Sequence, residues 1–129
     1  MAPESLTRRF AGRDFLVELR DGQSAQLRRA DGGFGPLETA LSLAWAKDPA
    51  ALSEALWRRE DWSWEGFAGF AYADGGDSVC VSAEGENEVL RVAEFEAVAA
   101  GFALAVLERE AAAGTEDLAR RFRDLLTRA

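Results

Sequence analysis

The run Trp62-Ser-Trp-Glu-Gly-Phe-Ala-Gly-Phe-Ala-Tyr72, Ala73-Asp-Gly-Gly-Asp77, Ser78-Val-Cys-Val-Ser-Ala83, Glu84-Gly-Glu-Asn-Glu88, Val89-Leu-Arg-Val92 decides the fold. Two acidic, glycine-bearing clusters cut it into three short stretches of aromatic, β-branched and small residues, which predicts a three-stranded antiparallel meander. Side chains alternate across a strand, so Trp62, Trp64, Ala68, Phe70 and Tyr72 share one face. Ser63, Glu65, Phe67, Gly69 and Ala71 take the other. A two-residue turn at Asp74-Gly75 sets Phe70 opposite Val79 and Ala68 opposite Val81. A turn around Gly85-Glu86 then sets Val79 opposite Val92 and Val81 opposite Leu90. The expected ladders are Phe70–Val79–Val92 and Ala68–Val81–Leu90, and a slip of one residue in either loop breaks both. The outer face is expected to align Phe67 with Ser82 and Val89, and Gly69 with Cys80 and Arg91.

Upstream, residues 3–11 fit a short helix or an arm. Phe15, Val17 and Leu19 alternate as in a strand, and Asp21-Gly22 signals a hairpin turn. A three-residue loop, Arg20-Asp21-Gly22, places Val17 opposite Ala25 and Phe15 opposite Leu27. Asp31-Gly-Gly-Phe-Gly-Pro36 breaks the chain, after which Leu37, Ala40, Leu41, Ala44 and Trp45 recur at helical spacing. Asp48 is placed to cap a second helix that starts at Pro49 and buries Leu52, Ala55 and Leu56. Arg58, Arg59 and Glu60 are expected in solvent.

Downstream, Glu94 to about Ala112 reads as the longest helix, its stripe formed by Phe95, Val98, Ala99, Phe102 and Val106. Gly114 is placed to end it and Thr115 to cap a last helix bearing Leu118, Phe122, Leu125 and Leu126. The fold class expected is therefore α+β. An antiparallel sheet of about five strands, an N-terminal hairpin plus the meander, packs against helices in the order ββαα-βββ-αα. No linker or repeat divides residues 1–129, so one domain is expected.

The chain has 129 residues, 48% of them hydrophobic. No apolar run approaches the roughly 18–20 residues of a membrane span, and Met1–Phe10 lacks the apolar centre of a secretory signal. Cys80 is the only cysteine, which points to a reducing cytoplasm. Net charge is −8 and unevenly placed: residues 61–117 hold thirteen acids against Arg91 and Arg109. Such a field repels nucleic acid and favours a basic protein as partner.

Histidine is absent, which removes Ser-His-Asp and Cys-His catalysis and histidine metal sites. One cysteine cannot build a thiolate cluster. Lys47, the only lysine, stands at a helix end beside Asp48 and reads as a solvated cation. Gly32-Gly33-Phe34-Gly35 precedes a helix as a phosphate cradle would, but Pro36 removes a donor and Asp31 repels an anion, so it reads as a connector. Cys80, mid-strand with no cation nearby, reads as a quiet small residue. The acids near the turns match no calcium loop. No catalytic, cofactor or metal residue is expected, and no cofactor.

These features favour a non-enzymatic acidic module that binds and neutralises or escorts a basic protein. Its size, acidity and mixed elements match, at the level of class, bacterial immunity proteins and small secretion chaperones. The interface candidates are Trp62, Trp64, Glu65, Phe67, Asp74, Asp77, Glu84, Glu86, Glu88 and Val89, as aromatic anchors beside carboxylates. A small-ligand-binding or carboxylate-based enzymatic domain is the alternative. It requires a cavity between the sheet and the 36–59 helices with a buried acid, Glu65 being the candidate. A homo-oligomer joined by the sheet face or by Phe122 and Leu126 is the third.

Overall fold

A computed structural model describes residues 4–19, 25–109 and 115–128. Three strands, β1 (Glu4–Phe10), β2 (Arg13–Leu19) and β3 (Gln26–Arg29), lead into helices α1 (Pro36–Lys47) and α2 (Pro49–Arg58). Four strands follow: β4 (Trp62–Trp64), β5 (Ala68–Tyr72), β6 (Ser78–Ala83) and β7 (Glu86–Arg91). Helices α3 (Val92–Arg109) and α4 (Glu116–Thr127) close the chain. The class is α+β, antiparallel strands against helices, as the sequence indicates. The strands form two sheets, β1-β2-β3 and β4-β5-β6-β7, and not one sheet of about five.

The two additional strands have one cause. β1 turns into β2 at Ala11-Gly12 (φ 52° and 77°), and β4 turns into β5 at Glu65-Gly66 (φ 47° and 69°). Positive φ at both central residues is the signature of the tight hairpin turn that matches strand twist. Asn or Asp usually advertises it; here alanine and glutamate occupy the strained first position and the signal is muted. Phe67 N donates to Trp64 O at 2.9 Å, closing the second turn. Trp62–Tyr72 is therefore a folded hairpin and not one strand, with Trp62 opposite Phe70 and Trp64 opposite Ala68.

Three expected registers are each corrected by two residues. Val17 pairs with Leu27 and Phe15 with Arg29, so the connection is longer than Arg20–Gly22; those turn residues lie outside the described ones. Between β5 and β6 the loop is Asp74–Asp77, closed by Ala73 N donating to Ser78 O at 2.9 Å. Of its glycines only Gly76 takes positive φ, at 76°. A turn on Asp74-Gly75 would need two such residues in succession, so the loop runs on to Asp77. The last turn is Glu84-Gly85 (φ 52° and 84°), not Gly85-Glu86. The ladders are Tyr72–Val79–Leu90 and Phe70–Val81–Glu88. An even slip keeps every side chain on its face. Phe70, Val79, Val81, Leu90 and Val92 are all buried as expected, although Val92 starts α3 and does not end a strand.

Helix α1 lies between the sheets, against β3 on one side and β5 and β6 on the other. Its Leu37, Ala40, Leu41, Ala44 and Trp45 are buried. The Ser42 hydroxyl accepts from Leu27 N at 2.8 Å and donates to Leu27 O at 3.3 Å, covering the edge of β3. Asp48 caps α2 by accepting from Ala50 N and Ala51 N at 3.1 and 3.2 Å. Helix α3 buries Phe95, Val98, Ala99, Phe102 and Val106 completely, each large side chain contributing about 1.5–3 kcal/mol. Trp45 meets Phe102 and Phe122 at 6.0 and 6.1 Å between ring centres, joining α1, α3 and α4. Phe10 rests where a side chain on Gly101 would stand, so that glycine admits β1 to α3.

Two expectations at the C-terminal end change. Leu126 is 48% exposed and lies off the buried side of α4. Thr115 precedes α4 in helical backbone (φ −87°, ψ −8°), and its side chain does not cap the helix; Gly114 lies outside the described residues. Among the described residues, no helix is long and apolar enough to cross a membrane.

Candidate functional site

In an antiparallel meander successive turns fall at opposite ends. Glu65-Gly66 and Glu84-Gly85 therefore share one end of the β4–β7 sheet, and the Asp74–Asp77 loop occupies the other. This divides the interface candidates. Trp64, Glu65, Phe67, Glu84 and Glu86 gather at the first end, beside an open groove of about 420 Å³. Ala25 of the β2–β3 connection, Phe34 before α1, Leu43 of α1, Phe67 and Glu84 line it. Phe34 and Phe67 are 40% and 42% exposed. Trp64 meets Phe67 edge-on at 6.2 Å. Lys47, exposed as expected, also lies 4.2 Å over the Trp64 ring. Arg28 lies 4.3 Å over Phe34 and is paired with Glu18 at 3.1 Å.

The remaining candidates lie elsewhere. Trp62 is half-buried and stacks on Phe70 at 6.1 Å, on the core side. Glu88 shares the inner face with Val81 and pairs with Arg13 of β2 at 3.5 Å. Val89 is 68% exposed on the outer face, where it is aligned with exposed Cys80 and Ala71. The expected rows Phe67–Ser82–Val89 and Gly69–Cys80–Arg91 do not form, because Ser82 pairs with Gly69 and Asn87. Asp74 and Asp77 stand at the far end.

The glycine amides of the loop before α1 are occupied, Gly32 N by donating to Arg29 O at 2.8 Å. Gly33 N donates to Asp31 Oδ1 and Gly35 N to Glu38 Oε1, both at 2.8 Å. Carboxylates fill the positions a phosphate would need, so the loop is a connector braced by its own acids. Glu38 is 1% exposed. Glu65, the acid expected to be buried, is exposed in its turn.

At the far end a cluster forms that the sequence did not disclose. Glu96 of α3 is 6% exposed and receives four donors. Arg59 gives two, Nε to Oε2 and Nη2 to Oε1, each at 3.1 Å. Arg128 Nη2 donates to Oε2 at 2.9 Å and the Tyr72 hydroxyl to the same oxygen at 3.3 Å. Arg128 also donates to Leu56 O and Trp57 O at 3.1 and 2.9 Å, satisfying carbonyls at the end of α2, and lies 4.8 Å over the Trp57 ring. Arg59, exposed as expected, ends α2 in left-handed backbone (φ 52°, ψ 48°) and reaches Glu96 as well. The hydrogen bond with Glu96 raises the Arg59 pKa above its ordinary value. Burial, then the Glu96 charge, pushes the Tyr72 phenol well above its own. The missed signal is Glu96 itself, one acid in line with Ala99, Ala100, Ala103 and Leu107, all buried; α3 is covered on a wider face than its aromatic stripe suggests.

Among the described residues no group of three histidine, cysteine or acidic side chains could hold a metal ion. Comparison with protein-family models, curated proteins and solved structures finds no match.

Proposed function

We propose that this protein is a non-enzymatic binding module for a basic protein, which it neutralises or escorts in the manner of an immunity protein or a small secretion chaperone. The observation that carries this reading is the pairing of apolar groove and free acids at one end of the β4–β7 sheet. Phe34 and Phe67 line the same groove, each about two-fifths exposed. Glu65, Glu84 and Glu86 beside it are exposed and make no ion pair among the described residues. An apolar anchor with unpaired charge around it is the arrangement of a binding hot spot. The carboxylates steer a positive surface into encounter, and the two rings receive an apolar side chain or an arginine plane. The exposed single cysteine suits a reducing cytoplasm, the compartment proposed for this activity.

Co-purification from the source cell tests the proposal. The wild-type protein should bring down one basic protein in stoichiometric amount. Joint reversal of Glu65→Lys, Glu84→Lys and Glu86→Lys changes only exposed residues, two in turns and one at the start of β7. It should slow association by about tenfold or more and flatten its salt dependence. An unchanged rate and salt dependence would remove these acids from the interface.

A further inference from the structure

A second cavity, of about 440 Å³, opens at the opposite end of the β4–β7 sheet. It lies between the Asp74–Asp77 loop, the start of α3 and the end of α4, and its size is that of a small-molecule site, for which roughly 300–1,000 Å³ is usual. We propose that it binds a small amphipathic carboxylate, the head on Arg91 and Arg59 and the hydrocarbon body against Leu125 and Leu126.

The argument is a balance of donors and acceptors. A carboxylate offers about four lone-pair positions. On Glu96, Oε2 accepts from Arg59 Nε, Arg128 Nη2 and the Tyr72 hydroxyl, and Oε1 accepts once, from Arg59 Nη2, which leaves one position on Oε1. Among the described residues Arg59 Nη1 has no acceptor, since its two bonds to Glu96 use Nε and Nη2. Arg91, at the end of β7, lines the same cavity and makes no ion pair among the described residues. Donors therefore exceed acceptors, and the complement is a group that only accepts. Asp77 opposes this, yet three guanidinium groups against two carboxylates leave the lining positive in a protein of net charge −8. The planar guanidinium fork suits a carboxylate held through two bonds. Val92, Leu125 and Leu126 supply the apolar part, with Leu126 48% exposed at the mouth.

Calorimetric titration of the full chain with octanoate, acetate and octanol tests this. Octanoate should bind saturably at one site, with acetate and octanol each weaker by about tenfold or more, since one lacks the body and the other the charge. Arg91→Ala removes an exposed residue outside the Glu96 cluster, and its melting curve should match the wild type. That variant should bind octanoate about tenfold more weakly. Absence of saturable octanoate binding would overturn the proposal. So would octanol binding as tightly as octanoate, or Arg91→Ala binding octanoate with unchanged affinity. These outcomes are independent of the groove at the other end of the sheet.

Discussion

Tyr72 is the only tyrosine in the chain, and its hydroxyl rests 3.3 Å from a Glu96 oxygen that two arginines also hold. Burial and the neighbouring carboxylate both disfavour the phenolate, raising the folded pKa above the ordinary value. The sign of the linkage follows. Stability from this group is fully present below the unfolded pKa of about 10 and is lost as pH rises toward the folded value. In that window the unfolded chain releases a proton that the folded chain retains. Ultraviolet absorbance, which reports phenolate formation at this one tyrosine, should show no ionisation of the folded protein near pH 10. Ionisation at higher pH should coincide with loss of structure. A phenol titrating near pH 10 in the folded protein would show that the contact with Glu96 does not hold. None of this was legible in the sequence. Arg59 follows α2, Tyr72 lies in β5, Glu96 in α3 and Arg128 after α4, and no local pattern links them.

The elements were far more legible than their registers. Hydrophobic periodicity locates all four helices and fixes which strand residues face inward, because those signals reside within a few consecutive residues. Pairing depends on turn geometry instead. At Ala11-Gly12, Glu65-Gly66 and Glu84-Gly85 a residue that resists left-handed backbone occupies the first turn position. The sheet imposes that conformation against local preference. The interface candidates are scattered for the same reason: the fold-back at Glu65-Gly66 keeps Trp64 near Phe67, while the β5–β6 and β6–β7 registers set Val89 opposite Cys80 and away from Phe67. A test belongs at this scale. Ala11→Asn places at φ 52° a residue that tolerates this region. It should stabilise the β1–β2 hairpin by about 0.5–1 kcal/mol, read as a higher denaturant midpoint at unchanged m. A lower midpoint would contradict the turn assignment.

Across the whole molecule, the two ends of one sheet carry different sets of charged groups. Glu84 lines the Phe34–Phe67 groove, with Glu65 and Glu86 at the same end of the sheet and Arg28 and Lys47 over its rings, while Arg59, Arg91 and Arg128 line the opposite cavity with Asp77 and Glu96. In sequence Arg91 belongs to an acidic region; the fold carries it to Arg59 after α2 and Arg128 after α4. On the proposed function, the exposed acids Glu65, Glu84 and Glu86 would steer a basic partner to the groove end. The central claim is that this end, and not the outer sheet face, is the interface. The most direct measurement is the Kd of the co-purifying basic protein for Phe67→Ser and for Val89→Ser. Both side chains are exposed, so neither change should disturb the core. The account predicts that Phe67→Ser weakens binding by about 30-fold, as loss of a hot-spot ring does, and that Val89→Ser leaves it unchanged. Weakening by Val89→Ser with full affinity in Phe67→Ser would contradict it.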